Sequence, residues 1–287
     1  MLKSIYVTLF MTAAVGFAVL SGIQLAGGFE LAWLGGLLAT APIGGFFAVL
    51  VLFRPTARTG ARVPPIIAAT GVGFGLAVYG YAISPEPPVL ALVAGTVGFA
   101  GWLLYDLWYS HLDRPAMAIE VGRRLPDLTF EDSAGAPVAG ERYRGAPVLF
   151  MFYRGNWCPF CMAQIRELAA QYRELADRGV RLVLVSPQPH DNSAALADRF
   201  DIPCDFLTDP GNRVARQLGI VHEGGLPAGL QALGYHSDTV FPTVIIADAG
   251  GTVIFADETD NYRVRPEPDT FLRVLDDAGV ATRAIAV

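Results

Sequence analysis

Charge is nearly missing from the first 115 residues of this 287-residue chain. That stretch holds five basic residues (Lys3, Arg54, Arg58, Arg62, Arg114) and four acidic ones (Glu30, Glu86, Asp106, Asp113). The remaining charge lies beyond it, so the net −6 belongs to the second half and argues against a nucleic-acid partner. Cysteine is scarce as well. Three cysteines, two of them in one CxxC, cannot make a disulfide scaffold. The first 105 residues contain no Cys and no His, which excludes thiol relays and histidine-held haem there. The chain shows no internal repeat, low-complexity tract or Gly-rich phosphate loop.

What is present instead is apolar length. Ile5–Leu25, Leu31–Phe53, Pro65–Ile83 and Val89–Tyr105 each approach or exceed the ~20 residues that cross a ~30 Å hydrocarbon core. The first is too long for a signal-peptide core and reads as an uncleaved span. A buried soluble bundle is disfavoured, because near-chargeless helices would have no polar face for water. Lys3 precedes the first span, and Arg54, Arg58 and Arg62 lie between the second and third. Arg114, Arg123 and Arg124 follow the fourth, and the other two connections hold no Lys or Arg. The positive-inside rule then predicts both termini and the whole second half on the cytoplasmic side of a bacterial plasma membrane. Gly71 and Gly75 form a GxxxG, and Gly95, Gly98 and Gly101 a second small-residue stripe; both predict close helix packing. The division expected is 1–115 for a four-span region and 116–287 for a soluble domain.

Beyond the linker Pro115–Gly122, strand and helix patterns alternate, which predicts an α/β domain around a mixed sheet. Val148–Tyr153 is an apolar run suited to a central strand buried on both faces. A helix is expected from Pro159 to Gly179, with Glu174 and Arg178 as an i,i+4 pair near its end. Between strand and helix stands Trp157-Cys158-Pro159-Phe160-Cys161. Unpaired N–H groups and the positive dipole end at a helix start favour thiolate over thiol. Thiolate is the nucleophile in disulfide exchange and in peroxide reduction. Further strands are predicted at Val180–Ser186, Asp205–Thr208, Val240–Ala247 and Thr252–Phe255. Helices are predicted at Asn192–Phe200, from Asp209 through Leu218, and at Pro268–Ala278. Gly219–Asp238 has no clear period and reads as a long loop or lid.

The strand, CxxC and helix suggest a thioredoxin-like unit, and three stretches sharpen the likeness. Leu182–Pro187 with Ile202–Pro210, Phe241–Asp248 with Val253–Phe255, and Arg124–Phe130 together resemble the peroxiredoxin-like (AhpC/TSA, redoxin) family over about residues 118–287. The resemblance implies a thioredoxin-like fold with a central mixed sheet behind the four-helix transmembrane region. It implies no cofactor or metal, a thioredoxin- or glutathione-like thiol reductant in the cytoplasm, and a peroxide or protein-disulfide substrate. Counted from Phe152-Tyr153, Arg154 stands at the family's Pro position, Cys158 at its Thr position, and Cys161 at that of the peroxidatic cysteine. Phe241 stands where the family's late-strand arginine is expected. Thioredoxins and glutaredoxins attack with the first cysteine of such a motif, so either Cys158 or Cys161 is the candidate nucleophile. Pro242 matches the place where such folds keep a cis-proline, with the backbone at Phe241 free to pair with an extended substrate.

Arg154 is expected to lower a thiol pKa or to hold an anionic substrate, and Trp157 to wall the active-site turn. Cys204 reads as a small core thiol, with a resolving role as the alternative. A zinc site would need two more ligands from Cys204, His190, His222 and His236, without a second paired motif. Asn261-Tyr-Arg-Val-Arg-Pro-Glu-Pro268 resembles a segment before the last helix of peroxiredoxin-like relatives and reads as helix entry. Two function classes follow: a membrane-anchored thiol oxidoreductase, or a redox sensor whose CxxC state is reported through the helices with little turnover.

Overall fold

The computed structural model describes residues 1–53, 57–200 and 202–280. Arg54 therefore lies outside the described residues, as does the end of the chain beyond Val280. Contacts divide the chain into two compact units. The first comprises Met1–Pro55, Thr59–His111 and Pro227–Gly229; the second comprises Thr56–Arg58, Leu112–Leu226 and Leu230–Val287.

The first unit is built from α1 (Leu2–Gly27), α2 (Leu31–Leu52), α3 (Pro64–Ile83) and α4 (Val89–Leu104). A π-helical turn, Tyr105–Tyr109, carries the last onward. All four are long and apolar enough to cross a membrane by length and composition. With apolar side chains on every face, segregation of polar from apolar cannot orient these helices, so close contact of small residues does. A methyl group added at Gly73 would fall on the backbone of Ala39, one at Gly80 on Ala32, and one at Gly35 on Ala77. Gly98 of α4 meets Ala39, and Gly101 meets the Phe10 ring. The expected GxxxG is corrected in detail: Gly71 faces Phe99, and nothing lies within 4 Å of Gly75. The α3 face that meets α2 is the adjoining one, through Gly73, Ala77 and Gly80.

The second unit holds a seven-stranded sheet in the order β2-β1-β5-β4-β3-β8-β9. Its strands are β1 (Thr129–Glu131), β2 (Pro137–Ala139), β3 (Val148–Phe152), β4 (Arg181–Ser186), β5 (Asp205–Thr208), β8 (Thr243–Ala247) and β9 (Val253–Ala256). β3, β4 and β5 run parallel, while β8 is antiparallel to β3 and β9 to β8. This is the thioredoxin-like arrangement, a βαβ unit whose first strand also pairs with a hairpin. Every residue of β3 is buried, as a strand paired on both edges and covered on both faces requires. The helices are α5 (Pro159–Ala170), α6 (Tyr172–Asp177), α7 (His190–Phe200), α8 (Arg213–Gln217) and α9 (Pro268–Asp277).

The single helix expected from Pro159 to Gly179 is broken at Gln171, whose ψ of 6° leaves the helical range. Gly179 does end the second piece, at φ +71°, with Val180 N donating to Leu175 O across the turn. Arg178 does not pair with the Glu174 carboxylate. Its guanidinium grips Asp276, next to the end of α9, at 3.0 Å. The presumed lid is also partly ordered by pairing. β6 (Val221–His222) and β7 (Thr239–Val240) close it as a two-stranded ribbon.

Candidate active site

β3 ends at Phe152 and the chain must reverse into α5 within a few residues. Gly155, at φ +146°, makes the reversal, and a Cβ there would collide with the Trp157 indole. Cys158 then caps α5. Its backbone is extended, its sulfur accepts from Cys161 N at 3.4 Å, and Pro159 fills the first helical position. The Cys158 sulfur therefore faces the open N–H end of the helix.

Neither cysteine is exposed. Cys158 is 1% and Cys161 0% accessible, so exposure does not choose between them. The reason lies in packing, since β3 is central and Phe160, 1% exposed, packs edge-on against Tyr262. Burial opposes charge on both sulfurs, yet they are driven apart. Burial, the hydrogen bond to its neighbour and that neighbour's negative charge push the Cys158 thiol well up. Burial also penalises the Cys161 thiolate. It is outweighed by the hydrogen bond from Cys158, the charge of Arg265, and the backbone N–H and charge of Arg154, and Cys161 is lowered to about 5. Arg265 and Arg154 thus favour negative charge on Cys161 over Cys158.

Arg265 is the residue that sequence reasoning missed. Its Nη2 lies 3.7 Å from Cys161 Sγ, its Nη1 donates to Gln164 Oε1 at 2.9 Å, and its Nε donates to Tyr262 O at 2.8 Å. A side chain only 5% exposed and fixed at three points is a pre-set cation beside a sulfur. The signal available was the arginine pair Arg263 and Arg265 between an aromatic residue and prolines. Chain order hid its target, 104 residues upstream. Arg154 is 4% exposed, donates to Gly225 O, and lies 4.7 Å from the Trp157 ring centroid and 5.5 Å from that of Tyr262. Trp157 thus walls the turn from the Arg154 side.

The cis-proline expectation is overturned: among the described residues no peptide bond is cis, that before Pro242 included. Nor is the backbone at Phe241 open to a partner. Phe241 N donates to Ile220 O at 2.7 Å, and its carbonyl accepts from Thr243 Oγ1 at 2.8 Å. Arg114 Nη2 donates to Pro242 O at 2.6 Å, and its guanidinium covers the Phe241 ring. The edge that would grip an extended peptide is already satisfied.

Cys204 sits at the entry to β5, with burial and the Asp205 charge pushing its thiol up to about 12. His190 Nε2 lies 3.0 Å from Glu131 Oε2. His222 stacks on Phe241 at 4.7 Å. Among the described residues no group of three or more His, Cys, Asp or Glu is placed to hold a metal.

The sheet order and the cysteine turn at the end of β3 define a peroxiredoxin-like domain of the thioredoxin fold. Residues 121–256 match the AhpC/TSA family and form a domain of that family. The curated relatives include chloroplastic peroxiredoxin Q of Sedum lineare, 29% identical over 37% of this chain and 58% of that protein. Peroxiredoxin Q of Arabidopsis thaliana is 29% identical over 38% and 51%. The chain thus matches little more than half the length of these relatives. Among solved structures, AhpC of Enterococcus faecalis is 19% identical at a TM-score of 0.47, covering 59% of this chain and 98% of that one. Peroxidoxin BcpB of Mycobacterium tuberculosis is 20% identical at 0.46, covering 55% and 97%.

Proposed function

We propose that this protein is a membrane-anchored thiol peroxidase in which Cys161 attacks a hydroperoxide and Cys158 resolves the product. The observation that carries the reading is the buried Arg265 guanidinium, its Nη2 3.7 Å from Cys161 Sγ, which favours the Cys161 thiolate over that of Cys158. In the first step Cys161 S⁻ takes the terminal oxygen of ROOH. An S–O bond forms, the O–O bond breaks, and its electron pair leaves on RO⁻. Oxidation removes the Cys161 charge and thiolate acceptor that had kept Cys158 protonated. Cys158 can then give up its proton and displace hydroxide from the Cys161 sulfenic acid, forming the Cys158–Cys161 disulfide. The Cys158 proton and one proton taken up from solvent balance ROH and water. Two equivalents of an external thiol restore the pair.

Burial of both sulfurs supports a small hydroperoxide over a protein disulfide, and a small glutathione-like thiol over a thioredoxin-like protein as reductant. Occupation of the backbone at Phe241 supports the same choice. The four apolar helices support anchoring, and Lys3, Arg58, Arg62, Arg114, Arg123 and Arg124 support a cytoplasmic redox domain. The test uses the full-length protein in nanodiscs with tert-butyl hydroperoxide and, separately, a disulfide-bonded protein substrate. Cys161→Ser is expected to abolish peroxide consumption, while Cys158→Ser completes one turnover and accumulates sulfenic acid. If peroxide is untouched and the protein disulfide is reduced, with loss in Cys158→Ser, the assignment is wrong.

A further inference from the structure

Gln164 stands one helical turn beyond Cys161 on α5 and is 2% exposed. Its carbonyl oxygen accepts from Arg265 Nη1 at 2.9 Å. A guanidinium only donates, so this bond decides which way round the amide lies, with Oε1 on Arg265 and the NH₂ turned away from it. That NH₂ has no hydrogen-bond partner among the described residues. An unmet buried donor costs ~1–3 kcal/mol. The amide belongs to the same polar cluster as Cys161 Sγ, bridged to it by the two Nη atoms of Arg265. An acceptor is missing from this cluster, and none of the neighbouring side chains supplies it.

We infer that Gln164 is a catalytic residue of the peroxidase reaction, its Nε2–H₂ donating to the oxygen that leaves as the O–O bond breaks. The inference rests on the peroxidase reading above and deepens it. Attack by Cys161 S⁻ on RO–OH puts the broken bond's electron pair on RO⁻, among side chains that are nearly wholly buried. Three cationic or polar groups already serve the thiolate: Arg265, Arg154 and the Cys158 thiol. The Gln164 amide stands beside them with its donor unused. A preorganised donor aimed at developing charge needs no reorganisation when the charge appears. The same bond to Arg265 gives Gln164 a positioning part, and the experiment has to separate the two.

The separation uses Gln164→Met and Gln164→Glu in the full-length protein, with two electrophiles that differ in need. Iodoacetamide alkylates Cys161 without producing an oxyanion, and it reports the thiolate alone. tert-Butyl hydroperoxide expels a strongly basic alkoxide, whereas peracetic acid expels a stabilised carboxylate. Rates are compared above the thiolate midpoint measured for each variant by absorbance at 240 nm. For Gln164→Met the expected result is a ~10- to 100-fold loss with tert-butyl hydroperoxide. The loss should be clearly smaller with peracetic acid, and alkylation nearly unchanged. Gln164→Glu, which retains an acceptor for Arg265 but no amide donor, should lose the alkyl hydroperoxide reaction as Gln164→Met does. Equal losses with all three reagents, or full recovery in Gln164→Glu, would make Gln164 a positioning residue and overturn the inference. Wild-type protein that alkylates readily but consumes no peroxide would instead sink the peroxidase reading itself.

Discussion

The two units of this chain solve burial in opposite ways. In the first, the buried positions facing neighbouring helices are largely glycine and alanine, and backbones approach until no methyl group fits between them. In the second, three arginines are nearly or wholly buried: Arg154 at 4%, Arg263 at 0% and Arg265 at 5%. Burying a cation is costly unless it is paired and hydrogen-bonded, and Arg265 is held at three points, one of them the Cys161 sulfur. The comparison teaches where chemistry can reside. A unit cemented by small residues has packing to offer, whereas the other holds desolvated charge beside a sulfur.

The comparison breaks most readily at Gly98, where a side chain would strike the backbone of Ala39. Gly98→Leu should destabilise the first unit by ~3 kcal/mol. In calorimetry of the full chain in detergent, one transition should fall while the other stays. If both move together, the units are one cooperative block. Arg265→Met sharpens the electrostatic side. Removing the cation should raise the Cys161 midpoint from about 5 by about 1–3 pH units. Thiolate is the reactive form, so alkylation near neutrality should fall and return as pH rises through the new midpoint. A loss that no pH restores would mean that Arg265 holds the fold rather than the charge. Least affected should be Arg178→Ala, which removes a partly exposed pair with Asp276. The expected cost in urea unfolding is ~0–1 kcal/mol, with no change in the pH profile. A larger effect would show that the α6 and α9 ends are coupled to the site.

Much of this was legible in the sequence, for local reasons. A cysteine pair between an apolar run and a helical pattern can only sit on a strand-to-helix turn, and the structure puts Cys158 at the helix cap. Four chargeless stretches have few other structures open to them. Non-local pairing escaped. Nothing near Arg178 in the chain announces Asp276, and nothing near Cys161 announces Arg265. The GxxxG at Gly71 was read from spacing alone, yet Gly73 and Gly80 make the contact, because the neighbouring helix selects the face. Pro242 followed a family habit that the backbone contacts of Phe241 and Arg114 displace.

Local order in the amino acids was sufficient to place two sulfurs one turn apart at a helix start, because period, cap and proline act over a few residues. Which cation stands beside which sulfur was decided only by folding. Arg265, more than a hundred positions along the chain, reaches Cys161 only in the folded domain, and electrostatic fields depend on distance in space, not on distance in sequence.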